Sequence, residues 1–542
     1  MKKVTALLLA LMLCLSLFAC SGNETPTTTG TPSASSPTGT QASPDKVVES
    51  ITYGLRNNSW DLSPWKSTGS SGSTIWPQLY SCLLANPAFG TPLTDMQYDM
   101  AESIEFSADK MTATVRLRDY IHDSQGNPIK AQDIVFSYQT APNVSGTYAK
   151  IDSLLESITA KDEYTVEMKI KKIFPGTWET LLSYCPIVSQ EWYEGASAED
   201  RAGNPASTGA YRVKENVVGT SVILEALDDF WQKDELRTIY QIANVKTINY
   251  VCLVEESIRA IALENGEIDV AYLEGDSFAR FGNNPEYNTF EVLMPNPGTW
   301  LLNCSEGRPF HDNVALRKAV LHAVDFEQIA IASAGEWAFQ GHDVAPSNCD
   351  DFNPAWNDQP YYEYNLDLAQ QYLAEAGYND KSGLELHFLC RNIGTQKAAI
   401  TVAQSCLEKI GINLIIDDYD QALYDTYIVD PTQWDMVVTA PSMTSGFIVE
   451  SWDYFFGSHG DQGTVGFVKD AKLQLLLDDV IAKNDADSKE AFRDYYMDQA
   501  YGVSATSIIS LQFAHSYITD VPISFLGSVV LNACTFSSDY TG

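Results

Sequence analysis

Residues 99–138 read DMAESIEFSADKMTATVRLRDYIHDSQGNPIKAQDIVFSY, and this stretch decides the fold class. Its middle alternates by two. Ala113, Val115 and Leu117 fall on one face, and Thr112, Thr114, Arg116 and Arg118 on the other, the pattern of a half-buried strand. Ser107 to Lys110 is polar enough to turn the chain back from a preceding strand that carries Ile104 and Phe106. Asp123-Ser124-Gln125-Gly126-Asn127-Pro128 reads as a second turn, because Gly and Asn tolerate positive φ and Pro cannot join a ladder. A short helix follows from Ala131, with Ile134, Val135 and Tyr138 on one side. The unit is an antiparallel sheet packed under a helix.

At 542 residues the chain is longer than one hydrophobic core can serve, so two or three domains are expected. A formal charge of −37, from 34 basic and 71 acidic residues, argues against nucleic acid or an anionic membrane surface as a direct partner. At the N-terminus, Lys2 and Lys3 precede an apolar run from Val4 to Phe18 that ends in Leu17-Phe18-Ala19-Cys20. A basic end, a short apolar core and a small residue before the cut describe a secretory signal peptide. The Leu-x-Ala-Cys ending resembles the bacterial lipoprotein box, which implies lipidation of Cys20 and an extracytoplasmic protein anchored to the cell membrane by lipid alone. From Ser21 to Lys46 nearly every residue is Thr, Ser, Pro or Gly, with no apolar face to bury. That composition predicts a disordered tether reaching ~80 Å at ~3.1 Å per residue. Eight of the ten cysteines lie beyond Cys20, scattered and mostly in apolar contexts, which favours buried free thiols over disulfides; no CxxC or Cys/His cluster suggests zinc.

Many residues of the opening stretch stand in the places of a known signature. They are Met100-Ala101-Glu102-Ser103, Ser107-Ala108-Asp109, Val115-Arg116-Leu117-Arg118, His122-Asp123 and Ala131-Gln132-Asp133-Ile134-Val135-Phe136-Ser137. In this the chain resembles the oligopeptide/dipeptide/nickel-binding family, the large solute-binding proteins of ATP-driven importers. Further matches are Ser207-Thr208-Gly209-Ala210-Tyr211, Gly266-Glu267-Ile268-Asp269-Val270-Ala271 and the run from Asn303 to Ile329. In that last run Asp312 reads as a helix N-cap, and His311 and His322 as a cap neighbour and a surface residue. Thr68 to Ser73 reads as a Gly/Ser loop leading into a helix through Ile75, Leu79, Leu83 and Leu84. Asn365 caps a helix that Gly377 stops, Leu384, Leu386 and Phe388 alternate as a strand, and a helix with Ile400, Ala403 and Leu407 leads to a strand from Ile412 to Ile416.

The resemblance implies an α/β, two-lobed periplasmic-binding-protein-like fold, class II, with mixed sheets covered by helices and hinge strands between the lobes. The implied divisions are a signal peptide at 1–20, the tether at 21–46, a first lobe at 47–297 with an accessory subdomain at about 82–203, a second lobe at 298–510 and a return to the first lobe at 511–542. Crossing strands are expected near Leu293 to Asn303 and Ile508 to Phe513, and a ligand-facing loop after the strand from Asp435. The expected partners are a small-molecule or peptide ligand and the permease subunits, with a monomeric protein and no cofactor or metal.

Residue by residue, the resemblance points to Ser442, Met443, Thr444 and Ser445 on that loop. Relatives typically anchor a peptide's N-terminal amine with an Asp after a Trp-containing run. Here Pro441, Thr444 and Phe447 stand at the Trp and acidic places, and Glu450 and Asp453 are the acids that follow. Trp300 and Trp452 are candidates for stacking on a sugar or side chain, and Arg391 for meeting a carboxylate. No Walker A, HExxH, GxSxG or strand-borne GxGxxG motif is present. The expected function is capture of a peptide by lobe closure and its delivery to an importer. The alternatives are an oligosaccharide-binding member of the same family, a binding lobe that senses without transporting, and a secreted hydrolase.

Overall fold

The computed structural model describes residues 46–540 apart from 67–68, 89–90, 93–94, 275–276, 295, 359–361, 380, 382, 442–445, 458–463 and 526; for 69–71 and 73 it describes the backbone only. The signal peptide, Cys20, residues 21–45 of the tether and Ser442–Ser445 therefore lie outside the described residues. In the opening stretch the strand Thr112–Leu117 buries Ala113, Val115 and Leu117 completely. On its other face Arg116 pairs with Glu102 of the preceding strand Ala101–Phe106 at 2.8 Å. The second turn closes on Asp123, whose Oδ1 accepts from the backbone N–H groups of Gln125 and Asn127, while Gly126 takes φ +85°. Helix α1 (Ala131–Val144) begins where Asp133 Oδ2 accepts from the Lys130 N–H at 2.8 Å, and it buries Ile134, Val135 and Tyr138. With the strands Leu155–Asp162 and Thr165–Ile170 this unit forms a four-stranded antiparallel sheet of its own, and a short helix, α2 (Ala149–Leu154), lies in the chain between α1 and the strand Leu155–Asp162.

The main sheet has twelve strands. In chain order its longer members are β1 (Val48–Leu55), β2 (Tyr211–Val217), β3 (Ser221–Ala226), β4 (Val245–Cys252), β5 (Val270–Leu273), β6 (Tyr287–Leu293), β7 (Gly298–Leu302), β8 (Leu384–Arg391), β9 (Ile412–Tyr419), β10 (Met436–Thr439) and β11 (Gly502–His515). Across the sheet they run β9-β8-β10-β7-β11-β5-β1-β4-β3-β2, with β6 also paired to β11. The two ends are mixed: β1 is parallel to β4 and β5, β8 is parallel to β9 and β10, and β7 and β11 run antiparallel to their neighbours.

One core gathers the β1–β5 end of this sheet together with the four-stranded sheet and α1: Val48, Ile248 and Tyr250 belong to the same cluster as Val115, Ile134 and Tyr138. A second runs from Trp300 to Ala505 under β7–β10. The chain passes between them twice. The first passage follows β6, where the Met294 N–H donates to the Ile508 carbonyl at 2.9 Å before β7 begins. The second is β11, long enough at about 46 Å to serve both cores. Pairing of β7 with β11 steps from Gly298↔Thr506 to Thr299↔Ser504, which leaves Ala505 as an extra residue. Such a bulge bends and twists a strand, here between the segment that joins β7 and the segment that joins β5 and β6.

Two local expectations are corrected. The cap of the helix Val314–Ala323 is Asn313, whose Oδ1 accepts from the Leu316 N–H at 3.1 Å; Asp312 sits one residue outside at φ +48°. The Gly/Ser run is not a loop before a helix, because the helix Gly69–Leu79 already includes Gly69 to Ser73; it ends at Leu79, so Leu83 lies beyond it and Leu84 opens a two-residue strand. The eight cysteines of the described residues are free thiols, six of them buried.

Candidate ligand-binding cleft

Parallel strands place their carboxyl ends together, and in open α/β sheets ligands bind beyond those ends. Here β8, β9 and β10 end side by side at Arg391, Tyr419 and Thr439, while β1 and β4 end at Leu55 and Cys252 in the other half. Ala440 and Pro441 follow β10 at this edge, and Ser442–Ser445, next in the sequence, lie outside the described residues. Arg391 stands on the same edge, half-buried, and donates to Gln421 Oε1 at 3.4 Å. Beside it the Tyr424 phenol donates to the Val438 carbonyl at 2.7 Å, and burial pushes that phenol up to about 12 although Arg391 pulls it down.

The chain re-enters the second core as α3 (Ile448–Phe456), which carries three of the expected site residues in three environments. Trp452 is 0 % exposed. It packs against Trp356, Phe492 and Tyr496, and its indole N–H donates to Asp343 Oδ1 at 2.8 Å. Asp343 also accepts from the Tyr496 hydroxyl at 2.6 Å and the Ala345 N–H at 2.8 Å, and lies 3.4 Å from Arg493 Nε. Burial pushes the Asp343 carboxyl upward, against Tyr496, Ala345, Arg493 and Trp452, which favour its ionised form. Arg493 and Tyr496 belong to α4 (Ala486–Asp498), so this buried group ties α3 to α4. Trp300 is 2 % exposed and packs edge-on against Phe326 and Phe388. In this structure neither tryptophan presents a ring face to solvent. Asp453 is half-buried.

Glu450 faces the other core. Its carboxylate, with only 4 % of the side chain exposed, forms an ion pair with the Lys150 ammonium of α2, a side chain 27 % exposed. Nearby, burial and then the Glu450 charge push the Tyr184 phenol up to about 12. Phe174 packs against both cores. This contact joins the four-stranded-sheet region to the second core without passing through either crossing strand.

Sequence reasoning named the crossing strand but not its polar side chains. Ser504, Thr506, Ser507, Ser510 and Gln512 on β11 are all buried, and among the described residues the Ser504 Oγ has no hydrogen-bond partner. Alternation of small hydroxyls with Val503, Ala505, Leu511 and Phe513 was the available signal. The histidines have ordinary roles: His311 Nδ1 is 2.9 Å from the Cys304 carbonyl, and His322 Nδ1 is 2.9 Å from the Glu363 carbonyl with its ring stacked on Tyr372. Among the described residues no cluster of three metal-ligating side chains forms.

Residues 95–463 match the model of the family described as bacterial extracellular solute-binding proteins, family 5 Middle. The oligopeptide-binding protein AppA of Bacillus subtilis is 23% identical over 521 residues, covering 91% of this chain and 90% of its own. Among solved structures, HbpA2 from Haemophilus parasuis superposes with a TM-score of 0.76 at 20% identity, over 90% of this chain and 100% of that one. AgaA of A. tumefaciens R10, in complex with agropinic acid, superposes with a TM-score of 0.72 at 20% identity, over 91% and 99%.

Proposed function

Because this chain belongs to the bacterial extracellular solute-binding proteins of family 5, we propose that it captures a peptide by closing its two lobes and passes it unaltered to an ATP-driven permease. The observation that carries this reading is the family match over residues 95–463, reinforced by a relative named for oligopeptide binding that aligns along nearly the whole chain. The two passages between cores, at Met294–Gly298 and through β11, are the natural hinge. A ligand that touches both lobes favours closure by its differential affinity for the closed form. Lobe divisions at 47–297, 298–510 and 511–542 follow those passages. The loop 442–445 and Arg391 are the proposed ligand contacts on the second lobe. The protein carries out no chemical transformation, works as a monomer and is held at the membrane by lipid on Cys20, with residues 21–45 as the tether; no helix of the described residues is long and apolar enough to cross a membrane.

A second reading, a small non-peptide solute, is favoured by Pro441, Thr444 and Phe447 at the places where relatives carry the aromatic and acidic anchor, and by the engagement of Glu450 with Lys150. Burial of Trp300 and Trp452 leaves an oligosaccharide without its two candidate stacking rings. Native mass spectrometry of freshly purified protein, followed by titration with defined peptides, tests the first reading. A hundredfold excess over Kd should stabilise the fold by ~2.7 kcal/mol and return each peptide intact. Cleaved peptide, or no stabilisation by any member of a broad peptide pool, would overturn it. Release of a Cys20→Ala variant from the membrane fraction tests the anchor.

A further inference from the structure

We propose that the Lys150–Glu450 ion pair is a latch through which the four-stranded-sheet region itself takes part in closing the cleft, with Lys150 setting how readily the closed form is reached. The proposal rests on the lobe-closure reading and adds a residue-level device to it. The two side chains lie 300 residues apart and stand beside residues of different cores, Ile151 of the first and Val449 of the second. Both helices are well supported from behind. On the α2 side Ile151 and Leu154 are buried, and the preceding turn is held by the Tyr184 hydroxyl, which donates to the Thr147 carbonyl at 3.0 Å. On the α3 side Ile448 N–H donates to Asp351 Oδ1 at 2.9 Å, Asp351 pairs with Lys489 of α4 at 2.8 Å, and Trp452 is locked to Asp343. Each charge therefore sits on a rigid mount, and the pair forms only when the mounts approach. Phe174, shared by the two cores, adds an apolar contact between them.

The exposures are unequal, and this makes the proposal sharp. Glu450 is nearly dry while Lys150 keeps about a quarter of its surface in water. A carboxylate taken out of water needs a counter-charge, whereas a partly exposed ammonium that loses its partner is rehydrated at little cost. Removing the lysine charge should therefore hurt closure more than removing the glutamate charge. In Lys150→Met the closed form still has to bury an ionised Glu450 without this cation. In Glu450→Gln the buried group is neutral and the lysine tail returns to solvent. The double variant should behave like Glu450→Gln rather than adding the two losses.

The test uses hydrogen exchange and small-angle scattering on the ligand-free chain, with unfolding melts as the check on folding. Lys150→Met should lower protection of amides in Tyr148–Leu154 and Ile448–Phe456 by roughly tenfold and expand the particle, Glu450→Gln by no more than about threefold. The swap Lys150→Glu with Glu450→Lys should recover most of the loss. Folded Lys150→Met with wild-type protection and dimensions, or equal effects of the two single variants, would overturn the latch. Peptide titration of the same samples separates the two ideas: a latch that responds in a chain that binds no peptide leaves the inference standing and the peptide-capture reading refuted. Unchanged exchange in a chain that binds peptide does the reverse.

Discussion

Replacing Asp343 by Ala should come close to unfolding the second half of the molecule. The carboxylate is 1 % exposed and accepts from the Tyr496 hydroxyl, the Trp452 indole and the Ala345 amide, with Arg493, also 1 % exposed, 3.4 Å away. Removing one partner of a buried pair costs about 3–5 kcal/mol. Each buried donor left without an acceptor adds about 1 kcal/mol or more, less where water enters the space. A total of about 4–6 kcal/mol is then expected, against a whole-domain stability of about 5–15 kcal/mol. Asp343→Asn keeps an acceptor for the indole or the hydroxyl and should lose about half as much. Arg493→Met removes the cation while the three donors still solvate the carboxylate, so Asp343→Asn combined with Arg493→Met should be at least 1 kcal/mol less damaging than the sum of the single changes. Urea unfolding followed by tryptophan fluorescence measures all four proteins, since Trp356 and Trp452 report on this site directly. A loss below about 1 kcal/mol for Asp343→Ala, or strict additivity of the double variant, would refute the claim that this group holds α3 against α4.

Burial pushes the Asp99 carboxyl up to about 7, although the Cys82 amide, Ser81, Gln241 and Arg118 pull it down. Below about pH 4 both states are protonated and there is no penalty; between about pH 4 and 7 the unfolded chain ionises first and stability falls, levelling above 7 at up to about 4 kcal/mol. Asp99→Asn should therefore gain on the wild type as pH rises from 5 to 8 in urea titrations, and a constant difference would count against it. Gly298→Ala would set a Cβ 2.3 Å from Thr506 Oγ1 at the bulge, lowering stability by about 1–3 kcal/mol, with most of it recovered by adding Thr506→Ala but not Thr506→Ser. Thiol labelling of the native protein followed by mass spectrometry should modify Cys252 first and Cys82 slowly, the latter because burial raises its thiol well above the ordinary value; rapid labelling of Cys185 or Cys534 would contradict the packing.

Local chemistry was legible without coordinates. The alternation at Thr112–Leu117, the Asp123 turn, the Asn365 cap and the stop at Gly377, which takes φ +86°, each depend on residues within a few positions of one another. The cap at Asn313 was misplaced by one residue because Asp312 and Asn313 offer the same side-chain acceptor, and only backbone direction chooses between them. Trp300 and Trp452 were candidates for a ligand because a cleft and a core use the same rings; burial alone separates the two uses.

By itself, then, the order of residues determined most of the strands, turns and caps, since those follow from periodicity and backbone preferences along the chain, while the two-lobed expectation came from the family resemblance. Which side chains meet across the lobes was decided only in three dimensions. Nothing in the sequence marks Lys150 among the other charged residues or pairs it with Glu450, 300 positions away, and their partnership exists because two separately built cores bring these side chains on α2 and α3 together.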